Sequence, residues 1–170
     1  MDLAIKMVSI FISHSSKDGW LINPIAQNMR SLGVDPYLAE FDVPNPIALP
    51  QKIDNAIQSA TAMFVIWSSN VINTKETRDV VNWEIASAYA KKKPIYVFAE
   101  KDIEIPFMLT YITVYGRYDP LDSKSLNECV SRINELSSFI KASDDKAKGI
   151  GALFMLFLGI LALGALADSK

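Results

Sequence analysis

Two stretches decide the fold: A-M-F-V-I-W, residues 62–67, and T-R-D-V-V-N-W-E-I-A-S-A-Y, residues 77–89. The first is a continuous apolar run, typical of a parallel strand buried on both faces. In the second, Val80, Val81 and Ala88 supply an apolar side to a stretch that is otherwise mostly polar, which predicts an amphipathic helix. A buried strand followed by an amphipathic helix is the repeating unit of α/β domains.

Glu84 is out of place in this helix. It is flanked by Trp83 and Ile85 in the helix interior, where an unpaired buried carboxylate is costly. One interpretation is an exposed glutamate that pairs with a lysine such as Lys91. The other is a carboxylate with a function, and the choice depends on where the helix lies in the fold.

The rest of the chain repeats the alternation of strand and helix. Strands are predicted at Met7 to Ser13, Asp35 to Leu38, Pro94 to Ala99 and Ile112 to Tyr115, and helices at Trp20 to Leu32, Lys52 to Ala60 and Leu121 to Ala142. From Ala39 to Pro50, the three prolines Pro44, Pro46 and Pro50 predict a stiff, exposed loop. The pattern predicts an α/β fold with a flavodoxin-like, doubly wound five-stranded parallel sheet.

Composition narrows the classes of function. The chain has 170 residues, of which 50% are hydrophobic and 21% charged, with a net charge of −2 and no basic stripe, so we expect no nucleic acid partner. Cys129 is the sole cysteine, which excludes a disulfide within the chain and predicts a small buried residue. His14 is the sole histidine, which disfavours a Ser-His-Asp triad and a histidine-based zinc site, and we expect no metal site.

The C-terminal region is strongly apolar. Ile150 to Ala167 carries no charge and, as a helix, would span about 27 Å, enough to cross a bilayer core. Lys141, Lys146 and Lys148 precede it and predict a single-pass protein whose N-terminal part is cytoplasmic. A buried hairpin or an oligomerisation helix is the alternative. We therefore expect a domain at 1–120, a last helix and linker at 121–148 and a transmembrane helix at 149–168.

The predicted topology also indicates a site. In open parallel sheets, ligands bind beyond the carboxyl ends of the strands where the strand order reverses, here between the first and third strands. The loops at 13–18 and 68–77 meet there and place Glu84 toward the crevice. Hydroxyl groups and aromatic surface for a ligand would come from Ser13, Ser15, Ser16, Ser69, Trp67 and Trp83. Alternatively, these serines only cap turns and helices.

Four blocks of sequence occur in order: F-I-S-H-S-S-K-D at 11–18, P-Y-L-A-E-F-D-V-P-N-P at 36–46, I-D-N-A-I-Q-S-A-T-A-M-F-V-I-W-S-S-N at 53–70 and V-V-N-W-E-I-A-S-A-Y-A at 80–90. In order and separation they resemble the Toll/interleukin-1 receptor (TIR) domain of the prokaryotic type, over about Met7 to Tyr118. The resemblance implies a five-stranded flavodoxin-like sheet and homo-oligomers formed through the loop after the second strand.

The resemblance also implies an activity. Many members of the family cleave NAD+ between nicotinamide and ribose with a glutamate in the third helix, which corresponds to Glu84. NAD+ would then be a substrate and not a cofactor. Such proteins often act in anti-phage defence, depleting NAD+ or making cyclic ADP-ribose signals. From loop position we expect a site floor and a lid edge formed by Phe11, Ser13, Ser16, Asp18, Pro44, Asn45 and Pro46, with Lys17 near a phosphate.

One position departs from the family pattern. Many enzymatic members have a tryptophan four residues before the glutamate, and Val80 stands there in this chain. A non-catalytic scaffold that signals by assembly is therefore an alternative. A third reading is an enzyme like the nucleoside deoxyribosyltransferases, which also combine a parallel sheet with a glutamate and would consume free nucleosides.

Overall fold

The computed structural model describes residues 7–39, 49–105 and 113–145. These residues form five strands, five α-helices and one short 3₁₀ turn at Ser16–Asp18. The strands are β1 (Val8–Ser13), β2 (Val34–Leu38), β3 (Ala62–Trp67), β4 (Ile95–Glu100) and β5 (Thr113–Tyr118). The helices are α1 (Gly19–Ser31), α2 (Leu49–Ser59), α3 (Ser69–Ile72), α4 (Lys75–Ala90) and α5 (Ser123–Asp145).

The five strands form one parallel sheet in the order β2-β1-β3-β4-β5. This confirms the predicted sheet and places the reversal of strand order between β1 and β3. Ser13, the last residue of β1, lies opposite Val65 of β3. Among the five described strands, β2 pairs with β1 alone, and an edge strand can hold Pro36 because one side of it needs no ladder hydrogen bonds.

Helices cover both faces of the sheet, and each face has its own apolar core. One core joins β-strand side chains such as Ile10 and Phe64 to α1 and α5, and it includes Cys129, which is buried as predicted. The other joins Phe11 and Val65 to α2 and α4. All six residues of β3 are buried, as expected of the central strand of a doubly wound sheet.

Several boundaries differ from the predictions. Helix α2 begins at Leu49 and not at Lys52, so the loop predicted to end at Pro50 ends earlier; proline lacks an N–H group but is tolerated in the first turn of a helix. The short helix α3 lies in what we expected to be a loop, and it begins where the Ser68 hydroxyl accepts from the N–H of Val71. Strand β5 continues to Tyr118.

Helix α5 completes the core beyond residue 120, where we expected the domain to end. Its buried residues Cys129, Ile133, Leu136 and Ile140 pack against the sheet and α1. Helix α1 is followed by Gly33, which has a positive φ of 75°. The Lys141 ammonium of α5 donates to the Leu32 carbonyl beside it.

Within residues 7–39, 49–105 and 113–145, no helix combines the length and the apolar character that a membrane crossing requires. The predicted span at 150–167 lies outside the described residues, and so does the segment 40–48 that carries Pro44, Asn45 and Pro46.

Candidate active site

Glu84 lies on the buried face of α4. It shares that face with Val81, Ile85 and Ala88, which have the spacing of one helical stripe, and the exposed fraction of Glu84 is 0%. The Lys91 ammonium is 2.7 Å from a carboxylate oxygen of Asp54 on α2. The interpretation of Glu84 as an exposed residue paired with Lys91 is therefore wrong.

The carboxylate of Glu84 reaches the end of the first strand. The Ser13 hydroxyl donates a hydrogen bond to Oε2 of Glu84, and Ser13 is also fully buried. Oε1 of Glu84 is buried and has no hydrogen-bond partner among the described residues. An unpartnered buried carboxylate oxygen is unusual, because satisfied polar groups are the rule in protein interiors.

Burial changes the proton affinity of this group. Removal from water disfavours the charged form and raises the pKa of Glu84 from its ordinary value of 4.5 to about 7, against the smaller opposing effect of the Ser13 hydrogen bond. A carboxylate with a pKa near neutrality, at the point where strand order reverses, has the character of a functional group.

A second buried carboxylate ties two loops together. Asp18 is 2% exposed; its Oδ2 accepts from the Ser68 hydroxyl at 2.6 Å and its Oδ1 accepts from the Asn70 amide at 2.6 Å. These bonds join the turn after β1 to the turn after β3, on either side of the strand-order reversal. Our sequence prediction named Asp18 but missed Ser68 and Asn70, although the run S-S-N directly after the strongest strand was a signal for polar side chains there.

The remaining polar residues of the two turns have structural partners or face solvent. Ser15 is buried and its hydroxyl accepts from the N–H of Lys17, while Ser16 and Lys17 are exposed. His14 is buried beside Asp18, and desolvation lowers its pKa. The half-buried Ser69 donates its backbone N–H to a carboxylate oxygen of Glu100 at 2.7 Å.

Two of the predicted ligand-contacting aromatic residues lie inside the core. Phe11 is 0% exposed and stacks on Tyr37 with ring centroids 5.4 Å apart. Trp67 is also 0% exposed, and its indole N–H donates to the Glu104 carbonyl at 3.2 Å. Both rings belong to the apolar core between the sheet and helices α2 and α4.

Trp83 is the exception, because 41% of it is exposed. It faces a cavity of about 420 Å³ lined by Leu49, Pro50, Ile53, Asp79, Val80 and Trp83. Glu84 is not among these lining residues, so Trp83 and Glu84 lie on different faces of α4. Within the described part of the chain, no group of three or more His, Cys, Asp or Glu residues is arranged to hold a metal ion.

Comparison with known proteins adds a family to this geometry. A family profile described as TIR domain matches residues 10–129. The chain is 30% identical over 84 residues to the 2' cyclic ADP-D-ribose synthase AbTIR of Acinetobacter baumannii (strain 1295743), an alignment that covers 49% of this chain and 30% of that protein. The chain thus spans about a third of the length of this relative.

Solved structures share the fold at low sequence identity. The TIR domain of the Toll-related receptor TRR-2 from Hydra magnipapillata superposes with a TM-score of 0.54 at 18% identity, covering 77% of this chain and 96% of that one. A 2-deoxyribosyltransferase from Bacillus psychrosaccharolyticus gives a TM-score of 0.53 at 17% identity, covering 70% and 96%. At these sequence identities, the similarities support a shared architecture and nothing further.

Proposed function

This chain belongs to the TIR domain family, and we propose that it cleaves NAD+ at the bond between nicotinamide and ribose, by hydrolysis or by cyclisation. The name of its relative, a 2' cyclic ADP-D-ribose synthase, supports a product derived from ADP-ribose. The single observation that carries the proposal is the Glu84 carboxylate, fully buried at the strand-order reversal with one oxygen unpartnered among the described residues.

A single carboxylate suffices for this chemistry. When the bond between the anomeric carbon and the ring nitrogen breaks, the electron pair leaves with nicotinamide, which departs as a neutral molecule and needs no general acid. Positive charge then develops on the ribose. An ionised Glu84 next to the ribose would stabilise this oxocarbenium-like state, and the water-poor surroundings strengthen that interaction. Attack on the anomeric carbon by water or by a hydroxyl of the same molecule then gives hydrolysis or cyclisation, and the proton that this nucleophile loses passes to Glu84 or to solvent.

The ionised form of Glu84 is the one that this step requires. Because burial raises its pKa to about 7, we expect the rate of nicotinamide release to rise as pH increases through about 7 and then to level off. A bound cationic nicotinamide ring favours the ionised form and moves the same transition to lower pH in the complex.

Exposed residues near the site are proposed to bind the rest of the substrate. Lys17 and Ser16 lie in the turn after β1 and are free to meet a phosphate group. Pro44 and Asn45 follow β2, whose carboxyl end lies on the same edge of the sheet, and we assign them to the rim on that sequence position alone.

Self-association and membrane attachment are further parts of the proposal. Homo-oligomers formed through the loop at 39–50, and attachment to the cytoplasmic side of a membrane by Ile150 to Ala167, would raise the local concentration of the domain. An activity triggered by clustering suits a role in anti-phage defence or cell-death signalling.

The test is a comparison of nicotinamide release by the full chain and by Glu84→Ala, purified in detergent or lipid and assayed over a range of concentrations, with products identified by mass. We expect Glu84→Ala to lower kcat by about 100- to 1000-fold. Glu76→Ala, which removes an exposed carboxylate from the first turn of the same helix, is the matched control and should keep full activity. Equal rates for wild type and Glu84→Ala would remove the catalytic role.

A non-catalytic scaffold is the second candidate, and the surface around Trp83 favours it. Val80 stands where many enzymatic members have tryptophan, and together with the exposed Trp83 it borders an apolar cavity that does not include Glu84. A scaffold of this kind predicts that Glu84→Ala leaves signalling intact, whereas substitutions in the loop at 39–50 abolish it.

A further inference from the structure

The two oxygens of the Glu84 carboxylate have different surroundings. Oε2 accepts a hydrogen bond from the Ser13 hydroxyl, whereas Oε1 is buried without a partner among the described residues. Both residues are 0% exposed. One oxygen is thus held by the protein, and the other is available to a hydrogen-bond donor of a ligand.

We propose that Ser13 is a positioning residue, which holds Oε2 of Glu84 and so fixes the orientation in which the carboxylate presents Oε1 to a hydroxyl group of the ligand. The proposal rests on the proposed function, because the ligand in question is the ribose of NAD+. It also changes the role of Ser13 from the sequence-based expectation, in which its own hydroxyl met the substrate.

The geometry of β1 makes Ser13 suited to this role. Its Cα lies opposite that of Val65 in the ladder between β1 and β3, so the hydroxyl is mounted on the rigid end of a central strand. The hydroxyl has one proton to donate, and Glu84 accepts it. The nearby Ser15 and Ser68 hydroxyls are engaged elsewhere, at Lys17 and Asp18. Of the Ser13, Ser15 and Ser68 hydroxyls, that of Ser13 is thus the one that donates to Glu84.

The Ser13 hydrogen bond constrains how the carboxylate meets a sugar. A carboxylate with no bond to the protein can turn about its terminal torsion and accept from ribose hydroxyls in many orientations. With Oε2 held by Ser13, the plane of the Glu84 carboxylate is fixed, and Oε1 is the oxygen left without a partner among the described residues. Fixing that plane aims the negative charge at one point of the ribose, which is what stabilisation of a developing cation requires.

The described charged groups on the neighbouring elements have partners other than Glu84. On α2, Asp54 pairs with Lys91; on α4, Asp79 pairs with Lys75; on β4, Glu100 accepts from the Ser69 N–H. At the end of β1, the buried His14 lies in the field of Asp18. The causes of the altered Glu84 pKa are burial and the Ser13 hydrogen bond alone, so loss of the Ser13 hydroxyl should raise that pKa further.

The test uses the full chain with Ser13→Ala, Ser13→Thr and Ser137→Ala. Ser137 is a matched control, because it is also fully buried, yet its hydroxyl donates only to the Ile133 carbonyl of α5. The Glu84 carboxyl carbon, assigned by its absence in Glu84→Gln, is titrated by ¹³C NMR. We expect a midpoint above that of wild type for Ser13→Ala, and an unchanged midpoint for Ser13→Thr, which keeps the hydroxyl, and for Ser137→Ala.

Kinetics supply the second readout. In Ser13→Ala the Glu84 carboxylate is still present but is no longer held in a fixed orientation. It should therefore bind substrate nearly as well as in wild type and stabilise the transition state less well. Ser13→Ala should therefore lower kcat by about 100-fold with a much smaller change in KM. The loss should persist at high pH, where Glu84 is ionised again, and Ser13→Thr should recover most of it.

The outcomes separate the inference from the proposed function. If the titration midpoint of Glu84 in Ser13→Ala is equal to or below that of wild type, Ser13 does not hold Oε2, whatever the activity of the variant. A raised midpoint with unchanged kcat and KM overturns the positioning role. A wild-type chain that releases no nicotinamide at any concentration refutes the proposed function instead, since the NMR titration is read without turnover.

Discussion

Replacement of Glu84 by glutamine should stabilise the protein, and only above a defined pH. Glutamine has the shape of a protonated glutamate and places a similar donor at the position of Oε1, which no described residue contacts by a hydrogen bond, while its carbonyl can still accept from Ser13. The two side chains therefore differ in one respect, which is that glutamate acquires a buried negative charge when it ionises.

The sign and the size of the effect follow from linkage between proton binding and folding. Below pH 4.5 the carboxyl group is protonated in both the folded and the unfolded chain, so its ionisation contributes nothing. Between 4.5 and about 7 the folded protein keeps a proton that the unfolded chain has lost, and stability falls as pH rises. Since one pKa unit corresponds to ~1.4 kcal/mol, the full loss above pH 7 is about 3 kcal/mol.

The assay is urea unfolding of the wild-type chain and Glu84→Gln from pH 4 to pH 9. The other titrating groups are common to both proteins, so the difference in the free energy of unfolding isolates Glu84. We expect no difference near pH 4, a rising advantage for glutamine between 4.5 and about 7, and a plateau near 3 kcal/mol above that.

Glu76→Gln, on the exposed first turn of the same helix, should change stability by less than ~0.5 kcal/mol at every pH. A Glu84→Gln chain that is less stable than wild type by the same amount from pH 4 to pH 9 would refute the reasoning. Glu84 would then stabilise the fold through contacts and not oppose it through its buried charge.

Two further predictions concern the turns around the site and are checked by the same unfolding assay. Asp18→Ala leaves the Ser68 hydroxyl and the Asn70 amide without their acceptor and should lower the free energy of unfolding by about 2 to 4 kcal/mol. Ser16 is exposed in the same turn, so Ser16→Ala should lower it by under ~0.5 kcal/mol. Similar values for both variants would contradict the role of Asp18. Gly33→Ala places a side chain at a φ of 75° and should cost about 1 to 2 kcal/mol, and a neutral result would show that the turn adjusts freely.

Much of the fold could be predicted because strand and helix periods are strong signals in this chain. The apolar run at 62–67 can be satisfied only in a strand covered on both sides, and β3 is in fact wholly buried. The same logic predicted that Glu84 would lie near the end of β1, because a reversal between β1 and β3 brings the two together.

The burial of Phe11 and Trp67 could not be predicted in the same way. Both lie near the carboxyl ends of strands, where a side chain can point into the crevice or under the covering helix. The outcome depends on how far α2 and α4 extend over the sheet, a property of packing and not of local sequence. The bonds from Asp18 to Ser68 and Asn70 escaped prediction for a similar reason, since they join residues 50 and 52 positions apart.

The environment of Glu84 connects stability to the proposed chemistry. Burial makes the ionised form of Glu84 unfavourable, which is why its pKa is raised to about 7, and Oε1 has no hydrogen-bond partner among the described residues. A ligand that carries both a hydroxyl donor for Oε1 and a positive charge relieves both defects at once, since it supplies the missing hydrogen bond and the missing counter-charge. NAD+ carries both in its nicotinamide riboside half. The positive charge moves onto the ribose as the bond breaks, so the relief is greatest in the transition state, and an interaction that is strongest there accelerates the reaction and does not merely tighten binding.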